Sequence, residues 1–324
     1  MKKRILILLM LLLFLAGCAT PAPTPTESAT EAAAPLETVQ TPTESSTEAP
    51  TEPEETGLFP AGTETLTAHF IDVGQADSIL LECGGEYALI DAGYPEGGVV
   101  VVEYLQKLGV ERLSLVVGTH PHGDHIGGLP EVLNAFPADN VWSSQISYSN
   151  DTVRAFLNAV AAQSLPLQKP PIGETFQLGG ATITKIGPIV DFHDDVNNMS
   201  LVLMVQFGDI KMLLTGDMER EAEEDLLESG TDVKADLLKV GHHGSYSSTT
   251  YPFLKAVAPT YGVICVGGNN EYGHPHDEPM SRLRDADVII YRTDKMYDIM
   301  AVTDGTEIRF SWENQYAKPW TPEK

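Results

Sequence analysis

The chain has 324 residues, with 46 Asp and Glu against 20 Lys and Arg, a formal net charge of -26 and 42% apolar residues. That apolar share can fill the core of one large domain or two ordinary ones, and the acidic balance disfavours a broad basic face that grips a phosphate backbone. After residue 15 no apolar run approaches the length of a membrane span, which excludes a polytopic membrane protein.

At the start, Lys2-Lys3-Arg4 precede an unbroken apolar run from Ile5 to Leu15. As a helix this run would rise about 16 Å, near half a bilayer core, which is the length of the apolar region of a secretory signal. Leu15-Ala16-Gly17-Cys18 resembles the lipobox of bacterial lipoproteins. The resemblance implies cleavage before Cys18, lipidation of its sulfur and a lipid anchor in the plasma membrane, with the chain on the extracytoplasmic face. An ordinary signal peptide or an uncleaved anchor would leave the chain on the same side. Residues 19–60 hold 8 Glu, 8 Pro, 10 Thr, 7 Ala and 3 Ser and no Lys or Arg. Such a stretch cannot bury enough apolar surface to offset its ordering entropy, and its prolines and like charges favour an extended tether. The expected division is a signal peptide at 1–17, Cys18 with a disordered tether to 60, and a folded domain at 61–324, where 38 acidic residues face 17 basic ones.

From residue 66 the pattern predicts strands at Thr67–Val73, Asp77–Glu82 and Tyr87–Ile90, with glycine turns between them. A helix over Val99–Leu108 and a short buried strand over Leu113–Gly118 follow, then helices over Ile126–Phe136 and Thr152–Ala162. Strands are expected near 181–186, 200–207 and 210–214, and a Glu-rich amphipathic helix over Met218–Glu228. Asp236–Val240, Gly262–Val266 and Val288–Tyr291 read as buried strands, and Tyr297–Val302 with Glu307–Ser311 as a hairpin around Asp304-Gly305. Strands in a run, then strands alternating with helices, suggest two sheets with helices outside. Cys83 and Cys265 sit in or beside apolar strand-like runs. An oxidising compartment would permit a bridge, but lone buried cysteines are common, and two unpaired thiols are expected.

Seven of the nine histidines fall in three short motifs. The first is Thr119-His120-Pro121-His122-Gly123-Asp124-His125, on the loop that follows the strand ending at Gly118. In extended chain His120 and His122 project to the same side and can hold one metal. Asp124 and His125 lie just beyond, where a turn can aim them at a second position. Imidazole with carboxylate suits Zn²⁺, Mn²⁺ or Fe²⁺.

His-x-His-x-Asp-His after a hydrophobic strand resembles the metallo-β-lactamase superfamily. Other segments fit in order: Leu89-Ile90-Asp91-Ala92-Gly93, Leu213-Leu214-Thr215-Gly216-Asp217 and Val240-Gly241-His242-His243-Gly244-Ser245. More narrowly, His69-Phe70-Ile71-Asp72-Val73-Gly74-Gln75, Asn197-Asn198-Met199-Ser200-Leu201-Val202, Gly273-His274-Pro275-His276 and Tyr291-Arg292-Thr293-Asp294 are similar to the hydrolase domain of the ComEC family and its stand-alone lipoprotein relatives. The resemblance spans roughly 66–311 and implies an α/β fold, the αββα four-layer sandwich. It implies two divalent metal ions, Zn²⁺ or Mn²⁺. His120, His122 and Asp217 would hold one; Asp124, His125, Asp217 and His243 would hold the other. Either member of the His242-His243 pair is open as the ligand, since neighbours in a strand point oppositely; His243 is preferred, with His242 facing the substrate. Asp91, and with it Asn198 and Ser200, would brace the ligands from behind. Many members have one more metal-binding histidine before the bridging aspartate. Here His193, between acidic neighbours, is the sole histidine available there, and it reads as part of a mobile loop.

The implied chemistry is metal-activated hydroxide attack on a phosphorus or carbonyl centre. Asp124, His242, His274 and His276 are the residues expected to orient the attack or protonate the leaving group. Ser245 and Ser247 are weaker candidates for touching a phosphate. The implied substrate is a phosphodiester, in ComEC single-stranded DNA. Positive charge is scattered over Lys185, Lys211, Lys239, Arg282, Arg284, Arg292 and Lys295, and Tyr94, Trp142, Tyr148, Tyr246 and Tyr272 are the aromatic candidates for stacking. A cell-wall phosphodiester such as teichoic acid or a phosphocholine decoration is the second expectation. A non-catalytic surface binding lipoprotein is the third. No protein partner is evident.

Overall fold

A computed structural model describes residues 58–144, 150–192 and 195–322. The expected signal peptide, Cys18 and nearly all of the tether lie outside the described residues, as do Tyr148 and His193.

In chain order the first half contains β1 (Leu66–Phe70), β2 (Ile79–Cys83), β3 (Glu86–Ile90), α1 (Pro95–Lys107), β4 (Leu115–Gly118), α2 (Gly123–Ile126), α3 (Leu129–Ala135), β5 (Val141–Ser143), α4 (Asp151–Ala162) and β6 (Leu167–Gln168). The second half contains β7 (Thr175–Leu178), β8 (Ala181–Gly187), β9 (Val202–Phe207), β10 (Ile210–Leu214), α5 (Arg220–Glu228), β11 (Leu237–Lys239), α6 (Tyr251–Val257), β12 (Tyr261–Ile264), α7 (Asp277–Asp285), β13 (Ile289–Arg292), α8 (Thr293–Met296), β14 (Ile299–Thr303) and β15 (Ile308–Trp312). One sheet runs β15-β14-β1-β2-β3-β4-β5-β6 and the other β13-β12-β11-β10-β9-β8-β7.

Period-two alternation decides the layers. Leu66, Ala68 and Phe70 of β1, Ile79 and Leu81 of β2, Leu203 and Val205 of β9, and Met212 and Leu214 of β10 meet in one apolar core between the sheets. The alternate residues point outward. Leu80, Leu89 and Val116 pack with Val101 and Leu105 of α1, Val132 of α3 and Phe156 of α4. Val202, Met204 and Leu213 pack with Leu226 of α5, Phe253 of α6 and Leu283 of α7. The result is helix, sheet, sheet, helix, the four-layer sandwich expected from the sequence.

Three differences from the sequence reading have physical causes. The helix read over Ile126–Phe136 is two helices, α2 and α3, broken at Gly127-Gly128. A β-carbon on Gly128 would lie 2.1 Å from the Ala92 carbonyl oxygen and 2.6 Å from the Gly98 nitrogen, so the break lets α1 and the Asp91 loop pack against bare backbone. Strands β5, β6 and β7 have two to four residues, too short for alternation to register. Helices α6, α7 and α8 were likewise not foreseen; α7 has the mostly polar sequence DEPMSRLRD and buries only its Pro279, Met280 and Leu283. Cys83 and Cys265 are both buried and unpaired.

The parallel strands set up the site. β3, β4, β5 and β6 run parallel in one sheet and β10, β11, β12 and β13 in the other. Gly118 pairs with Ser143, and Leu214 with Lys239, so the loops that leave these strands all open at one end of the sandwich. Ligand sites in such folds gather at the carboxyl ends of parallel strands.

Gly128→Ala should cost about 1–3 kcal/mol or more through overpacking, lowering the melting temperature by several degrees. Gly268, where a β-carbon would meet nothing within 4 Å, provides the control: Gly268→Ala should melt with the parent protein.

Candidate metal centre

Each chemical residue sits just past the end of a parallel strand. Asp91 follows β3, Thr119 and His120 follow β4, Asp217 follows β10 by three residues, and His242-His243 follow β11. α2 begins at Gly123 and turns Asp124 and His125 back over His120. The His242-His243 pair is not extended. Both residues adopt left-handed backbone, at φ 47° and 52°, so the strand-alternation reasoning that kept both open does not apply. Gly244 continues the turn at φ +80°, and a β-carbon there would stand 2.5 Å from that of Pro275. Glu223 of α5 holds the far side of this loop, accepting from the backbone N–H of Thr249 and Thr250 and from the Thr250 hydroxyl.

The side chains converge as two ligand groups that share Asp217: His120, His122 and Asp217, and Asp124, His125, Asp217 and His243, with the ligand atoms of each group within 4.8 Å of one another. His120 Nε2 lies 3.0 Å from His122 Nδ1 and 3.8 Å from Asp217 Oδ2. His125 Nε2 is 3.2 Å from Asp217 Oδ2, and His243 Nε2 is 3.4 Å from Asp124 Oδ2 and 3.6 Å from Asp217 Oδ1. The donor set fits divalent cations. His125 Nε2, His243 Nε2 and Asp217 Oδ1 are buried and make no well-aligned hydrogen bond among the described residues, only ion-pair approaches of 3.2 to 3.6 Å within the cluster, an arrangement that a cation between them would complete. Nitrogen with carboxylate oxygen suits a borderline metal.

Braces orient these ligands from behind. Asp91 is buried at φ 58°. It accepts from the Thr119 N–H at 2.8 Å and hydroxyl at 2.6 Å, and its Oδ2 lies 2.8 Å from His125 Nδ1. Ser200 Oγ lies 3.2 Å from His120 Nδ1 and accepts from the Asp217 N–H. Asn198 acts one step further out, accepting from the Glu219 N–H and donating to Asp195. His243 Nδ1 donates to the Cys265 carbonyl at 2.9 Å. Beside it Asp77 forms a 2.7 Å buried ion pair with Lys239. The sequence reading passed over Asp77 and counted Lys239 only as scattered charge; the neighbouring His-His motif was the signal that both belong to the site.

Electrostatics divide the histidines. Burial, reinforced by His125, lowers the His120 pKa well below the ordinary imidazole value. For His125 burial works against the charge, but Asp217, Asp91 and Asp124 outweigh it and raise the pKa well above normal. His243 is raised to about 10, with Asp217 and Asp77 overcoming its burial. Burial opposes the Asp217 charge too, but His125 and His243 hold its carboxyl well below the usual range.

A polar cavity of about 320 Å³ opens onto this cluster, walled among others by Gln75, Tyr94, His122, Asn197, Tyr272 and His274. Burial, with His243 and His242 nearby, lowers His274 to about 4. Gln75 fixes its tautomer: Oε1 accepts from the Gly267 N–H, so Nε2 donates to His274 Nδ1 at 3.2 Å. His242 Nδ1 meets Glu219 Oε1 at 2.9 Å, and its Nε2 is 3.6 Å from Asp217 Oδ2. His276 is not brought to the cavity wall. Its Nδ1 accepts from the Tyr246 N–H, which gives it a turn-bracing contact. Ser247 bonds Glu219, and Ser245 bonds Ser247. Of the candidate stacking aromatics, Tyr94 and Tyr272 line the cavity, Tyr246 is exposed against His276, and Trp142 is buried between the sheets. His69 is a buried strand residue near Tyr104 and Glu82.

Comparison with known proteins adds a family. Residues 71–268 match the model of the metallo-beta-lactamase superfamily. The chain is 27% identical over 256 residues to ComE operon protein 3 of Bacillus subtilis, covering 74% of this chain and 33% of that protein. It is 29% identical over 225 residues to competence protein ComA of Neisseria gonorrhoeae, covering 69% of this chain and 30% of that one. The chain thus spans about a third of the length of these relatives. Among solved structures, the metallo-beta-lactamase fold protein YhfI from Bacillus subtilis superposes with a TM-score of 0.49 at 13% identity, covering 70% of this chain and 96% of YhfI.

Two equivalents of Mn²⁺ or Zn²⁺ should bind, measured by equilibrium dialysis with elemental analysis. His122→Ala should retain one, and Asp217→Ala, which removes the shared ligand, should retain neither tightly. Because His125 and His243 hold protons near neutral pH in the metal-free protein, metal must displace them. Calorimetry in buffers of different ionisation enthalpy should show proton release, and apparent affinity should rise from pH 6 to 8.

Proposed function

The chain belongs to the metallo-β-lactamase superfamily of metal-dependent hydrolases, and we propose that it is a phosphodiesterase or nuclease held by a lipid anchor on the outer face of the plasma membrane. The observation that carries this reading is the sharing of Asp217 between two ligand groups beneath one polar cavity. Paired cations are the common solution for in-line displacement at phosphorus. The resemblance to the ComEC hydrolase domain, with a relative named competence protein ComA, supports a nucleic acid as the chain attacked. The signal-like run before Cys18 supports the location.

Bound divalent ions would supply Lewis acidity, charge neutralisation and acidified water. The chain's own residues do the rest. His120, His122, Asp124, His125, Asp217 and His243 would hold the ions, and Asp91 and Ser200 keep three of these side chains in place. His274, with Nδ1 occupied by Gln75, presents Nε2–H to a phosphoryl oxygen. His242 gives Nδ1–H to Glu219 and, when protonated, holds a second proton on Nε2 beside Asp217. From there it can protonate a leaving oxygen. Tyr94 and Tyr272 line the cavity and are the aromatic candidates there for contact with a base or a sugar.

Purified protein with added Mn²⁺ or Zn²⁺ should hydrolyse bis-p-nitrophenyl phosphate and single-stranded oligonucleotides, and a chelator should abolish both. His274→Ala should lower kcat by about 10²-fold, the usual contribution of one positioned donor or acid. Release of product from teichoic acid with no cleavage of DNA would move the substrate to the cell wall. No turnover on any of these would overturn the reading.

A further inference from the structure

The Asn197–Leu201 segment separates two cavities. Asn197 lines the metal-centre cavity. Two and four residues on, Met199 and Leu201 line a second cavity of about 250 Å³. Between them Ser200 holds His120 and the Asp217 backbone, and the Leu201 N–H donates to the Thr119 carbonyl. The two cavities therefore share a wall, and that wall is tied to the metal ligands.

The second cavity sits where the inter-sheet core ends. Ala181 and Ile183 of β8 point into that core, and the same parity carries Lys185 to its edge. Trp142 of β5 is in the core, and Ser144 continues its parity just past the strand, at the end where Gly118 pairs with Ser143. Lys185 and Ser144 are each 5% exposed and both line the cavity. Ser144 Oγ is buried without a hydrogen-bond partner among the described residues. Lys185 Nζ donates to the Pro188 carbonyl at 3.3 Å, and its burial and the neighbouring Lys169 lower its pKa to about 8, so most of its charge is kept at neutral pH. Lys169, paired with Asp191 at 3.2 Å, stands on the same wall. From residue 113 to 210 the chain has only Arg154, Lys169 and Lys185 as basic residues, and two of the three meet here, in a chain whose net charge is -26. Asp191 also lines the cavity and offsets the Lys169 charge, which leaves Lys185 as its uncompensated cation; Ile172, Ile189, Met199 and Leu201 are among the apolar walls.

A buried ammonium and an unpartnered hydroxyl at the end of an apolar slot are chemistry for an anion carried on a carbon framework. We propose that this cavity is a substrate subsite for a phosphate other than the one hydrolysed, gripped by Lys185 and Ser144, with the attached carbon framework against the apolar wall. The proposal rests on the phosphodiester reading of the metal centre. It makes the enzyme selective for a chain of successive phosphates over an isolated diester.

The test compares an isolated diester, bis-p-nitrophenyl phosphate, with a trinucleotide and a longer oligonucleotide. Lys185→Met, which keeps the apolar stem, should raise KM for the oligonucleotides at least tenfold with kcat within twofold, and leave bis-p-nitrophenyl phosphate unchanged. Ser144→Ala removes a hydroxyl with no hydrogen-bond partner among the described residues, and should raise the oligonucleotide KM about threefold with the melting temperature of the parent. Equal effects on all substrates, or none, would overturn the subsite. A separate arm titrates phenyl phosphate into chelator-treated protein: the parent should bind, and Lys185→Met and Ser144→Ala should bind more weakly. Absence of turnover with that pattern of binding would sink the phosphodiester reading and leave the anion site standing. Binding that is equal in all three proteins would overturn the site itself.

Discussion

Asp217 is the side chain on which both ligand groups depend. Its two oxygens face His120, His125, His242 and His243 at 3.2 to 3.8 Å, while the residue is 1% exposed. A carboxylate buried to that degree is tolerated only with strong compensation. In the metal-free protein protonated imidazoles supply it, and cations would replace those protons. The same position could not be filled by a neutral residue without leaving His125 and His243 among the remaining carboxylates with their main partner gone.

The fold's contribution is registration. Two sheets place the carboxyl ends of their parallel strands at one end, and each strand delivers its residue through a short, sharply defined turn: Asp91 at φ 58°, and His242 and His243 at 47° and 52°. These left-handed conformations are costly for residues with side chains, and they persist because hydrogen bonds over-determine them. Asp91 alone meets the Thr119 backbone, the Thr119 hydroxyl and His125. The antiparallel strands and the returning β14–β15 hairpin complete the inter-sheet core that keeps the turns rigid.

Much of this was legible in the sequence, for identifiable reasons. Alternating strands such as Leu66–Phe70, apolar runs such as Val202–Phe207 and the His-x-His-x-Asp-His spacing are local patterns, and they mark both the layers and four of the six ligands. What was hidden depends on geometry that one residue's neighbours do not encode. Gly241 and Gly244 flank His242-His243 and mark a turn, but they do not reveal that both histidines themselves take left-handed backbone. The short strands β5 to β7 carry too few residues to show a period. The Lys239–Asp77 pair joins residues 162 positions apart in sequence numbering, and the contacts of His276, which accepts from the Tyr246 N–H and packs edge-on against His274, depend on how distant loops meet. The net charge of -26 argued against a nucleic-acid groove when spread over the whole chain. The fold concentrates compensating charge at one end, where divalent ions and Lys185 would stand.

The most direct test of a two-cation centre built on Asp217 is anomalous diffraction from crystals grown with Mn²⁺. Two peaks are predicted, both contacting Asp217, one against His120 and His122 and the other against Asp124, His125 and His243. A single peak, or none at this end of the sandwich, would contradict it.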